Sequence, residues 1–177
     1  RPVIRDFRPT DYTGHPQVFS IVFGPQGFMH LGTQEGMLEF DGARWTHHAA
    51  PTPHIYRLAA AEDGRLWAGG NDELGYFTHQ PDGKWLYTSL NLHLPAALKP
   101  AGRAFDVIEY GGAAYFATTR GIVRWRDGKV RVWDDGNGLR MSFHVIGGEL
   151  FVHRGRFGLW RLAGDDCPAI GRNVAGA

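Results

Sequence analysis

The chain has 177 residues, 43% of them hydrophobic, which suits one domain with a packed core and excludes a disordered tail. Nineteen Lys+Arg against eighteen Asp+Glu leave a formal net charge of +1, too small an excess for a nucleic-acid binder that works by neutralising phosphates, and no basic stripe makes up for it. No apolar run approaches the roughly 20 residues of a membrane helix.

A single cysteine, Cys167, excludes an internal disulfide and any multi-cysteine zinc site. The chain begins with Arg1, so a processed or trimmed piece is expected. Twenty-five glycines beside 13% aromatic residues point to many short strands joined by tight turns.

In chain order, residues 3–7 (VIRDF) read as an orphan strand, of the kind that completes the last sheet of a ring. Four segments then share one pattern without gaps: QVFSI at 17–21, HIYRL at 54–58, RAFDV at 103–107 and MSFHV at 141–145. Their third place is aromatic (Phe19, Tyr56, Phe105, Phe143) and their fifth aliphatic (Ile21, Leu58, Val107, Val145). Their fourth is polar and different each time: Ser20, Arg57, Asp106, His144.

After each segment comes a turn, a short second strand (FMHLG, RLWAG, AAYFAT, ELFVH) and a glycine that opens a third strand, at Gly36, Gly75, Gly121 and Gly158. In three copies an Asp-Gly pair then leads to a last strand with Trp45, Trp85 or Trp133. Asp-Gly between apolar runs marks a hairpin, because glycine accepts the positive φ such turns demand. Four strands in roughly 40 residues make the unit of a β-propeller blade. A β-sandwich gives no reason for one phase to recur four times. The expected fold is all-β, a β-propeller of about four blades of four antiparallel strands, at about 17–48, 54–90, 103–135 and 141–177, as part of a larger ring. A small closed ring, or one ring completed by two chains, are the alternatives.

Two stretches depart from the period. Residues 89–104, with Pro95 and Pro100, suggest an inserted loop holding one helical turn. The glycine-rich end after Leu162 lacks an aromatic last strand.

FGPQGFMHLGTQEGMLEFDGARW (23–45) and AEDGRLWAGGNDELGYFTHQPDGKW (61–85) resemble the repeat of the two-component regulator propeller family. That pattern joins an inner strand, a D-x-x-G-like turn, L-W-[IV]-G-T-x-x-G-[LV]-x-x-[FY]-[DN]-G and a late Trp. The third copy keeps T-x-x-G at 118–121 without the acidic first turn, and the fourth matches least. HPQ at 15–17 is similar to the start of such regions. The resemblance implies a periplasmic sensor propeller of a bacterial hybrid or one-component membrane receptor, followed in the parent protein by a β-sandwich, a membrane helix and a cytoplasmic output. It implies a small-molecule or oligosaccharide ligand, since several members respond to polysaccharide breakdown products. Membrane contact is expected only through the further parts of the parent protein.

Catalytic patterns are missing from the sequence. There is no G-x-S-x-G nucleophile elbow and no phosphate loop. His47 and His48 alternate across a strand and cannot both chelate a metal without a bend, so they read as solvated edge residues, and His30 as packed or hydrogen-bonded. Asp165 and Asp166 would raise the Cys167 thiol pKa, which makes that residue a bystander. Asp72-Glu73 and Asp134-Asp135 fall in turns and loops, where acids are usually solvated. No cofactor or metal is expected, and this segment is not expected to be an enzyme.

The variable polar place carries the functional expectation. Inner strands line a propeller channel, and Ser20, Arg57, Asp106 and His144 offer a hydroxyl, a guanidinium, a carboxylate and an imidazole around one opening. Tyr56 would stack on a sugar ring there, while Trp67 and Trp85 fit blade packing better. The bland alternative pairs Arg57 with Asp106 and leaves the others to channel water. A sensing module with self-association through open blade faces, as a homodimer for instance, is the expected reading. A propeller lyase or hydrolase would need a His and an acid converging on the channel, and a protein-binding scaffold would show an exposed apolar blade face.

Overall fold

Alternating side chains and glycine turns fold each repeat back on itself as an antiparallel meander. The structure, a computed structural model, describes residues 4–133 and 140–162. The first blade holds β1 (Val18–Phe23), β2 (Met29–Thr33), β3 (Gly36–Phe40) and β4 (Trp45–His48). The second holds β5 (Ile55–Ala60), β6 (Leu66–Gly70), β7 (Leu74–His79) and β8 (Trp85–Ser89). The third holds β9 (Ala104–Tyr110), β10 (Ala113–Thr118), β11 (Gly121–Arg126) and β12 (Lys129–Trp133). The fourth shows β13 (Ser142–Ile146), β14 (Glu149–His153) and β15 (Leu159–Arg161). Strand order is sequential in all four sheets. Inner strands pack side by side, β1 on β5, β5 on β9 and β9 on β13. The protein is an all-β arc of a β-propeller. Residues 163–177, Asp134, Asp135 and Cys167 lie outside the described residues.

Turn chemistry explains the repeated motif. The Thr33 hydroxyl donates to the Gly36 carbonyl at 3.0 Å and accepts the Glu35 N–H at 3.0 Å. Thr118 does the same with Gly121 and Arg120, at 3.1 and 3.0 Å. A threonine that satisfies both sides of a two-residue turn fixes the pairing of the second and third strands.

Each seam between blades is a core of its own. Met37 and Val22 of the first blade meet Leu58, Leu66, Ala68 and Phe77 of the second. Trp67 and Leu74 meet Val107, Ala114 and Phe116 across the next seam. Ala113, Tyr115 and Ile122 meet Phe143, Leu150 and Val152 across the last. Small residues on the second strands let the sheets approach: a Cβ on Gly32 would lie 2.5 Å from the Ile55 carbonyl oxygen, and one on Gly69 2.5 Å from the Ala104 Cβ.

The inner strands hold a surprise for the sequence pattern. Pairing slips between Val18 and Ser20, between Ile55 and Arg57, and opposite Ala104 to Asp106. Phe19, Tyr56 and Phe105 are therefore the extra residues of β-bulges, which is why they are only half-buried. The β13–β14 pairing runs without a slip, and there Phe143 packs in the seam as the sequence suggests for all four.

Two segments differ from expectation. Residues 4–7 belong to no strand. Phe7 packs instead on the outward face of the first blade, edge to face with Phe40 at 4.9 Å and Trp45 at 5.2 Å. The short helix α1 (Pro9–Tyr12) follows, placing the Tyr12 ring 5.4 Å from Trp45. The inserted loop has two 3-10 turns (Asn91–His93 and Ala96–Leu98), and it buries Leu90, Leu94, Leu98 and Ala101 in the seam of the second and third blades.

Candidate functional site

All inner strands begin at the same end of the arc, and three blades contribute side chains there. The Phe19 ring meets Tyr56 edge-on at 4.8 Å, and His54 stacks on Tyr56 at 5.8 Å. The Arg103 guanidinium lies 4.2 Å from the centre of the Tyr56 ring, a cation–π contact. Arg57 donates through Nη1 to the Phe19 carbonyl at 2.9 Å and to the Tyr56 carbonyl at 2.8 Å. Phe19, His54, Tyr56 and Arg57 are half-buried and Arg103 is exposed. The cluster offers accessible aromatic surface beside two fixed positive charges.

The structure brings Tyr56 and Arg57 together in this cluster and separates the other expected residues along the seams. Ser20 turns its buried Oγ toward Gly32, without a hydrogen-bond partner. Asp106 accepts the Val107 N–H at 3.0 Å and the Phe143 N–H at 2.7 Å, tying the third blade to the fourth. His144 is exposed and shares a 3.0 Å hydrogen bond with the Ser142 hydroxyl. Arg57 and Asp106 do not pair; each reaches for a neighbouring blade's backbone. Sequence reasoning missed His54 and Arg103, although they fill the first place of the same five-residue pattern, which is polar in three of the four copies.

A second polar group sits inside the first seam. Glu39 Oε2 lies 2.9 Å from His30 Nε2 and accepts the Trp85 indole N–H at 2.6 Å. Burial pushes the His30 imidazole below its ordinary pKa, against the pull of Glu39. His48 is buried as well, 3.9 Å from Glu39 Oε1, and burial lowers its pKa too. Its neighbour His47 is solvated as expected, but His48 faces the second blade and is not. The next seam repeats the device: the Trp67 indole N–H donates to Glu109 Oε2 at 2.8 Å.

Of the two acidic pairs, Asp72-Glu73 lies within the described residues, and its two carboxylates have separate partners. Asp72 is exposed, and its carboxylate takes the Gly102 N–H at 2.9 Å. Glu73, unlike a solvated turn acid, is buried and receives hydrogen bonds from Tyr87 Oη at 3.3 Å and Asn91 Nδ2 at 2.9 Å. Burial raises its pKa. Among the described residues, no three His, Cys, Asp or Glu side chains converge to hold a metal ion.

Among the described residues, clefts open at the opposite end of the arc, between the turns of adjacent blades. One, of about 330 Å³, lies between the Pro25–Gln26 turn and Asp63 and Arg65. Another, of about 210 Å³, lies between Arg65 and Tyr76 of the second blade and Trp125 and Asp127 of the third.

No protein-family model matches the chain, and no curated protein matches it. Solved structures do resemble it. The extracellular domain of a hybrid two-component system from B. thetaiotaomicron aligns over 81% of this chain and 20% of its own, with 17% identity and a TM-score of 0.62. Virginiamycin B lyase from Staphylococcus aureus aligns over 83% of this chain and 52% of its own, with 18% identity and a TM-score of 0.62. A protein of unknown function from Bacteroides caccae aligns over 90% and 61%, with 14% identity and a TM-score of 0.61. The chain thus spans about one fifth of that extracellular domain and about half of the lyase. At such identities the likeness establishes the propeller fold, and that fold is shared by sensor domains and by enzymes.

Proposed function

We propose that the chain is a ligand-sensing segment of an extracytoplasmic propeller in a bacterial membrane receptor, and that it takes a small molecule or oligosaccharide at the Tyr56 cluster. The observation that carries this reading is the convergence of Phe19, His54, Tyr56 and Arg103 from three consecutive repeats on one end of the arc. Aromatic faces with guanidinium donors at their rim suit a sugar ring, which presents apolar C–H faces and an equator of hydroxyls. The repeat motifs at 23–45 and 61–85 and the likeness to an extracellular two-component domain support the same reading. Of the other inner-strand residues, His144 is exposed and open to a ligand, while the Ser20 hydroxyl is buried and Asp106 is held by backbone N–H groups. A ligand at the Tyr56 cluster favours one arrangement of neighbouring blades by binding it more tightly than the other.

Thermal shift against a panel of defined neutral and acidic oligosaccharides tests the proposal. A binding sugar raises the midpoint in proportion to the logarithm of its concentration, and Tyr56→Ala or Arg103→Ala abolishes the rise. Panel-wide silence, or a rise that both substitutions leave unchanged, overturns the site.

A further inference from the structure

An arginine held over an aromatic ring occurs at both ends of the arc, and the two cases differ in charge. At the end with the clefts, the Arg65 guanidinium lies 4.6 Å from the centre of the Trp67 ring and pairs with the Asp63 carboxylate, Nη2 to Oδ2, at 2.6 Å. At the other end Arg103 lies over Tyr56 with no carboxylate partner among the described residues. Its side chain makes no hydrogen bond there either, so the N–H groups of its fork are free at an exposed position. Arg57 uses only its Nη1 group, on the Phe19 and Tyr56 carbonyls, and forms no ion pair. Its Nε and Nη2 groups have no partner among the described residues and are not sealed from solvent. The acids of the same stretches are engaged elsewhere. Asp106 accepts the Val107 and Phe143 N–H groups, and Asp72 accepts the Gly102 N–H and the Asn71 amide.

Both guanidiniums reach Tyr56, one through its ring and one through its carbonyl, so they form one positive patch. Like charges set side by side favour an anion over a neutral molecule at that spot. The chain as a whole carries a formal net charge of only +1, so this attraction is local. A guanidinium presents its donors as a planar fork that matches the oxygens of a carboxylate or a sulfate ester. Stacking on Tyr56 steadies Arg103 and the two carbonyls steady Arg57, so less freedom is lost when a ligand binds. We infer that the ligand of this cluster is an acidic sugar, held by its carboxylate or sulfate ester on the free donors of Arg103 and Arg57. The inference rests on the Tyr56 cluster being the ligand site, and adds which sugars it takes and which it refuses.

Isothermal titration of the intact chain with two matched pairs of oligosaccharides is the test. One pair is trigalacturonate and its methyl ester; the other is a sulfated carrageenan tetrasaccharide and its desulfated twin. Within each pair only the oxyanion differs. The acidic member of one pair should bind at least about tenfold more tightly than its neutral twin, as a charge-assisted hydrogen bond requires. Added salt should narrow that gap, and the pair that shows it tells which oxyanion is taken. Arg103→Gln or Arg57→Gln abolishes the preference, with circular dichroism to check that each variant is folded. Arg65→Gln removes the same charge from the stacked arginine at the far end and leaves the preference intact. Neutral members that bind as tightly as their acidic twins, with Tyr56→Ala abolishing both, overturn the inference and leave the site standing. A preference that survives both arginine substitutions overturns it too, because the charge then acts elsewhere. If no member of either pair binds, the site and the inference fall together.

Discussion

The middle blades and the end blades are built from the same repeat, yet they bury it differently. The inner strands of the middle blades, β5 and β9, have a neighbour on each face, and each has two buried residues. In the first blade β1 has no fully buried residue, and β13 in the last has one. A single unit thus reads as core or as surface according to its place in the row. A blade becomes core when it is flanked on both sides, which is the physics of repeat proteins: stability is a sum over neighbours more than a property of the unit.

Truncation of an aromatic residue breaks this comparison most sharply. Phe116→Ala, at a fully buried site in β10, should lose about 3–5 kcal/mol in urea unfolding. Phe23→Ala, at an exposed site in β1, should stay within about 0.5 kcal/mol in the monomeric chain. Comparable losses from the two would show that the end blade is covered. Next comes the inserted loop: Leu94→Ala should cost about 2–5 kcal/mol if the loop belongs to the seam, whereas a neutral result would make it mere linker.

A smaller loss belongs to the polar seam. Glu39→Ala leaves the Trp85 indole N–H and the buried His30 without their acceptor and should cost about 1–3 kcal/mol by the same unfolding assay. The smallest effect is one of pH. His30 and His48 have pKa values lowered by burial, so the unfolded chain binds protons more readily than the folded one. Stability is therefore full above the ordinary histidine value of about 6.5 and falls as pH drops from there toward the depressed folded values. Glu73 works in the opposite sense. Its raised pKa means that it opposes folding at neutral pH and ceases to do so as acid protonates it. Its window extends upward from the ordinary carboxylate range, so His30→Asn should lessen the fall of the unfolding midpoint below about pH 6.5, leaving the His48 share and the Glu73 effect in place.

What could be read in the sequence was local. Asp-Gly turns, the Thr-x-x-Gly spacing and the recurring aromatic–polar–aliphatic phase all act within a few residues, and they announce an all-β repeat. The bulges were hidden, because a slip in register exists only between two strands, and QVFSI looks like MSFHV until each is paired with its neighbour. The lie of Phe7 against Phe40 and Trp45 and the burial of Glu73 and His48 were hidden for the same reason: all depend on distant partners. One clue was present and unused. Glu39 in MLEF and Glu109 in VIEY are charges set among apolar neighbours on β3 and β9, the signature of an acceptor waiting for a buried donor.

The leucines of the inserted loop have a bearing on movement. They wedge the seam of the second and third blades with apolar bulk that has no alternative partners, so that joint is stiff. The joint before it has its own apolar core and the same kind of indole–carboxylate contact, but no such wedge. If binding at the Tyr56 cluster bends the arc, the hinge is the junction between the first blade and the rest.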